Sequence, residues 1–167
     1  MKSKTAKITF LGLATACALV LSYVESLLPP IWSAVPGVKV GLPNIVIIYL
    51  LYKVSFKSAA AVSFVRIIAV SMLFGNVMIM SYSIAGAVLS LGVMAILKKT
   101  KAFSTVGVSI AGAVAHNLGQ IIVAMVVMQT KEIGYYMIVL CVTGVLAGIV
   151  IGIAGGMLLK YTEKIKL

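Results

Sequence analysis

The sequence predicts an all-α integral membrane protein: six transmembrane helices in one bundle, with both termini on the cytoplasmic side. Three observations predict it. Of the 167 residues, 62% are hydrophobic and 10% charged, with a mean hydropathy of +1.20; soluble domains carry roughly 25% charged residues. Apolar stretches of spanning length recur along the whole chain, and a spanning helix takes about 20 residues, so no soluble domain fits beside them. The charge is lopsided, 14 Lys+Arg against 3 Asp+Glu, and the lysines gather at alternate ends of the apolar stretches.

The first span is expected at 8–28. Lys2, Lys4 and Lys7 ahead of an apolar run mimic a signal peptide. The run continues past Cys17 to Leu28, however, which is long enough to be retained as a helix. Pro29-Pro30 should stop it, since proline cannot continue a helix. A connection with Trp32, Pro36-Gly37 and Lys39 follows. The second span, 42–56, is short for a full crossing. The remaining spans are expected at 58–74, 77–97, 103–128 and 135–159. Together the six make one transmembrane domain over 1–167. Cys17 and Cys141 lie in apolar runs, with neither metal-ligand spacing nor a disulfide framework.

The loop charges orient the bundle. With the N-terminus inside, eleven lysines face the cytoplasm (2, 4, 7, 53, 57, 98, 99, 101, 160, 164 and 166) and two, Lys39 and Lys131, face outward. The remaining basic residue, Arg66, falls inside the third span. The positive-inside rule reads this as six spans with both termini in, so the net +11 is mostly a topology signal. Nucleic-acid binding is excluded, because it needs a basic face on a soluble module. Some lysines are placed to meet anionic lipid heads of the bilayer. The three acids are Glu25, Glu132 and Glu163, and there is no aspartate. That removes two-metal phosphoryl transfer and Asp-rich diphosphate–Mg²⁺ sites.

Small residues mark helix contacts. Gly144, Gly148, Gly152 and Gly156 repeat every four residues in the sixth span, and Gly107, Ala111, Ala115 and Gly119 form a matching row in the fifth. Both are read as packing within the chain, since close van der Waals approach holds bundles in lipid. The first span carries Ala14 and Ala18, with Gly12 and Ala16 offset, a row suited to docking another subunit.

Ionisable and amide groups at depth are the functional candidates, because such groups cost several kcal/mol in a span and usually mark function. Arg66 lies mid-way along the third span. His116, Asn117 and Gln120 cluster in the fifth, with His116 and Gln120 on one face. Glu25 ends the first span and Asn44 begins the second, just after Lys39. Asn76 and Lys131 are read as loop residues. Together Glu25, Lys39, Asn44, Arg66, His116, Asn117 and Gln120 are expected to line one outward-opening pocket. Arginine offers bidentate recognition, so the pocket suits a ligand bearing a carboxylate or phosphate. No metal site and no catalytic residue is expected.

The strings Lys39-Val-Gly-Leu-Pro-Asn44, Arg66-Ile67, Leu73-Phe74-Gly75, Ser90-Leu91 and Ala115-His-Asn-Leu-Gly-Gln120 resemble the Gx transporter family, also described as heptaprenyl diphosphate synthase component I. The resemblance runs from about Ile8 to Leu159. That family in turn resembles the substrate-binding (S) components of energy-coupling factor transporters. The resemblance implies an S-component-like bundle that captures a micronutrient or cofactor precursor outside a bacterial cytoplasmic membrane. It also implies that Ala14 and Ala18 dock on a transmembrane T component, and that two partner ATPases supply the energy. The chain has no phosphate-binding Gly-x-x-x-x-Gly-Lys-Ser/Thr loop, so any ATP is bound by those partners and no cofactor by the chain itself. The synthase label implies a second role, as a non-catalytic membrane subunit in isoprenoid, quinone or flavin-linked metabolism. A stand-alone small-solute transporter is the third. In every case the chain is expected not to be an enzyme, since a prenyltransferase needs the Asp-rich motifs that are missing here.

Overall fold

The computed structural model describes residues 4–28 and 40–164. The expected stop at Pro29-Pro30, and Trp32, Pro36-Gly37 and Lys39, lie outside them. The elements in order are α1 (Lys4–Leu27), α2 (Asn44–Lys53), α3 (Phe56–Phe74), α4 (Val77–Thr100), α5 (Thr105–Met128), a short 3₁₀ turn (Lys131–Tyr135) and α6 (Tyr136–Tyr161). Among the described residues there is no strand. Among the described residues, five helices are long and apolar enough to cross a membrane. The molecule is an all-helical, multi-pass membrane protein.

Helix starts follow from local chemistry. Ser55, Asn76 and Ser104 sit in extended backbone and accept from the N–H groups of Ser58, Ile79 and Gly107. Each satisfies a donor that the first helical turn leaves unpaired. Asn76, expected as a loop residue, therefore caps α4, with its Oδ1 at 2.8 Å from Ile79 N.

The second span differs from the expectation. α2 has only 10 residues, about 15 Å at the α-helical rise, which is half of a roughly 30 Å hydrocarbon core. It is apolar all round because it is covered all round. Ile47, Ile48, Leu50 and Leu51 are among its fully buried side chains, and they form the centre of the core with Ala14, Ala18, Val62, Val108 and Ile151.

Successive helices alternate in direction, so Lys53, Lys57, Lys98, Lys99, Lys101, Lys160 and Lys164 collect at one end, with Lys131 at the other. Lys53 Nζ donates to the carbonyls of Thr162 and Glu163 at 2.8 and 3.2 Å. Lys98 Nζ donates to Leu51 O at 2.5 Å and lies 5.2 Å over the Tyr52 ring. Both ammoniums thus sit on carbonyls at helix C-termini, where the backbone dipole favours a cation. At the opposite end the Gly41 N–H donates to Glu25 Oε1, tying the end of α1 to the start of α2.

The glycine row of α6 packs on α5. A Cβ at Gly148 would lie 2.6 Å from Ile110 Cα, and one at Gly152 would lie 2.6 Å from Val106 Cα. Gly144 faces Asn117, whereas Gly156 has drifted off the contact, with Thr105 Cβ 4.0 Å away. The α5 surface it meets runs through Val106, Ile110 and Ala113. Gly119 instead faces α4, where a Cβ would sit 2.7 Å from Ala85 O. α5 thus presents one face to α6 and another to α4.

Candidate functional site

A cavity of about 170 Å³ opens toward the end of the bundle opposite the lysine-rich one. α1 contributes Ser22 and Glu25, and the turn into α2 contributes Gly41 and Asn44. Arg66 and Ser71 come from α3, Ser83 from α4, and His116, Asn117 and Gln120 from α5. Six of the seven residues expected in the pocket line this one cavity; the seventh, Lys39, lies outside the described residues.

Arg66 enters from the middle of α3. Its Nη1 donates to Ser22 Oγ at 3.4 Å, a long bond. Ser22 accepts there because its own proton goes to Ala18 O, at 2.8 Å. The Arg66 Nε is fully buried and, among the described residues, has no hydrogen-bond partner. Glu25, of opposite charge, lines the same cavity. A guanidinium carries five N–H donors, and leaving a buried donor unpaired costs about 1–3 kcal/mol, more for a charged group.

The α5 residues divide their work. Asn117 Nδ2 donates to Leu140 O at 2.7 Å, so half of this amide is committed to α6. Its carbonyl oxygen is the half left for the cavity. The His116 ring rests on Gly86 of α4, where a Cβ would come within 2.9 Å of both Nδ1 and Cε1. Gly86 is thus the recess that admits the imidazole. At the α2 end, Gly41 has φ +80°, a backbone that favours glycine, and its carbonyl receives the Asn44 N–H at 2.8 Å. That turn directs Asn44 to the cavity wall. A smaller chamber of about 20 Å³ shares Val40, Asn44, Ala113 and Ala147 with the main one, and extends past the buried Ser90 and Ser109.

Sequence reasoning missed Ser22, Ser71 and Ser83. Lone serines in apolar helices carry almost no signal, since their hydroxyls can bond a carbonyl one turn back. Ser22 had one: it continues the four-residue spacing of Ala14 and Ala18.

Those two alanines face inward. Ala14 is 9% and Ala18 0% exposed, both within the core beside α2. In this conformation their methyl groups are covered by the chain itself. The offset pair, Gly12 and Ala16, is exposed, and a Cβ at Gly12 would meet nothing within 4 Å.

The family model for heptaprenyl diphosphate synthase component I matches residues 14–158. The chain belongs to this family. No curated protein and no solved structure gives a match. The component I match takes in every residue of the cavity wall, from Ser22 to Ala147. Component I is a non-catalytic part of the synthase, and the chain is not itself an enzyme. Among the described residues, no three His, Cys, Asp or Glu side chains come close enough to hold a metal ion.

Proposed function

We propose that the chain is a membrane solute-binding subunit that captures a small, vitamin-like molecule through an anionic group held at Arg66. The observation that carries this reading is Arg66, a guanidinium that lines a cavity rich in amides and hydroxyls and, among the described residues, makes one long bond to Ser22 while its Nε has no partner. An arginine at the centre of a span costs about 2.5–3.5 kcal/mol by insertion scales. Helix packing alone gives no reason to keep it. A carboxylate or phosphate oxygen in the cavity would give the guanidinium a charged acceptor, with its planar fork giving orientation. Glu25, Asn44, His116, Asn117 and Gln120 would complete the contacts, and Lys39 would stand at the entrance.

In this reading the lysine-rich end is cytoplasmic, both termini are inside, and α2 supplies the second of six passes with its flanking turns. The pocket then opens outward from a bacterial cytoplasmic membrane. Delivery inward would need partners: a T component and two ATPases of the energy-coupling type, which would bind the ATP. The experiment is native mass spectrometry of the detergent-purified protein with a metabolite screen of what it releases. A retained small anion, lost from Arg66→Ala, is the expected result. A chain that never carries a ligand at any purity would sink the reading.

The family description favours a second reading, in which the chain is the membrane component working beside another component of heptaprenyl diphosphate synthase. It predicts copurification with a soluble prenyltransferase whose membrane-dependent activity falls when the chain is removed.

A further inference from the structure

The cavity holds two opposite charges that do not neutralise each other by contact. Arg66 spends one N–H on Ser22 and keeps Nε unpaired. Glu25 spends Oε1 on the Gly41 N–H, and among the described residues its Oε2 accepts no hydrogen bond. Both side chains line the same space. In surroundings of low dielectric, a ligand with only negative charge would gain at Arg66 and be repelled at Glu25, and a purely cationic one would meet the reverse. A ligand with both kinds of group satisfies both ends. Size narrows it further. The cavity of about 170 Å³ is near the roughly 150 Å³ that encloses a benzene ring.

We infer that the ligand is a compact dipolar molecule, about one planar ring in size, with an anionic group at Arg66 and an ammonium or other N–H donor at Glu25. This rests on the solute-binding reading and narrows its substrate class.

The test uses the full chain in detergent and calorimetric titration with benzoate, benzylamine, inorganic pyrophosphate, and 3- and 4-(aminomethyl)benzoate. At least one aminomethylbenzoate should bind about tenfold more tightly than benzoate or benzylamine, the scale of one charge-assisted hydrogen bond. Glu25→Gln keeps an acceptor for the Gly41 N–H and should erase that preference, leaving the zwitterion and benzoate within about threefold, below the tenfold worth of one such bond. Benzoate or pyrophosphate binding as tightly as both zwitterions would overturn the dipolar class and leave solute binding standing. So would a preference that survives Glu25→Gln. If no probe binds and mass spectrometry finds no retained ligand, the inference falls together with the reading beneath it.

Discussion

Arg66 is where stability and function pull apart. Among the described residues its guanidinium is held by one 3.4 Å bond to Ser22, and its Nε is unpaired. Removing a poorly satisfied buried charge in favour of an apolar side chain of similar length is often neutral or stabilising. Arg66→Met should therefore leave thermal stability in lipid–detergent micelles unchanged or raise it by about 1–2 kcal/mol, while ligand retention is lost. A variant that unfolds more easily and still holds its ligand would make Arg66 a structural residue. Asn117 should behave in the opposite way. Its Nδ2 is a satisfied donor to Leu140 O at 2.7 Å, and Asn117→Asp would replace that donor with an acceptor facing a carbonyl. The expected loss is about 1–3 kcal/mol, read by the same melting assay. At this scale the sequence was informative where chemistry is scarce. An arginine, a histidine and three amides stand out against apolar helices, whereas Ser22, Ser71 and Ser83 do not.

At the scale of elements, the glycines of α6 separate by what they face. Gly148 and Gly152 lie against α5 backbone, with a Cβ only 2.6 Å from Ile110 Cα and Val106 Cα. Backbone cannot swing aside as a side chain can. Gly148→Ala or Gly152→Ala should push α5 and α6 apart and cost about 1–3 kcal/mol. Gly156→Ala has its nearest neighbour at 4.0 Å and should melt as the parent does. Equal effects at all three would mean that α5 and α6 meet along a different face. The periodic row was readable because a four-residue repeat marks one face whatever its partner. The partner was not, since α5 carries small residues toward both α4 and α6. Composition hid the length of α2 for a related reason. A buried ten-residue helix and part of a spanning helix are both uniformly apolar, and only the three-dimensional cover over Ile47, Ile48, Leu50 and Leu51 tells them apart.

For the whole molecule the governing asymmetry is electrostatic. Lysines at positions 53, 57, 98, 99, 101, 160 and 164 sit at or near helix ends on one side of the bundle, and Lys131 starts the turn on the other. The cavity lies on the side of Lys131. If the lysine-rich side is cytoplasmic, as loop charge orients membrane proteins, the cavity opens outward and the solute is captured before it crosses. If the orientation is reversed, the same residues would receive a molecule made inside the cell, which suits the synthase component better than uptake. Single cysteines decide between the two. In a Cys17→Ser, Cys141→Ser background, Lys131→Cys should react with a membrane-impermeant thiol reagent in intact cells. Lys57→Cys and Lys101→Cys should react only after the cells are opened. Labelling of Lys57→Cys and Lys101→Cys in intact cells, with Lys131→Cys protected, would turn the cavity toward the cytoplasm and rule out the uptake reading while leaving the pocket chemistry untouched.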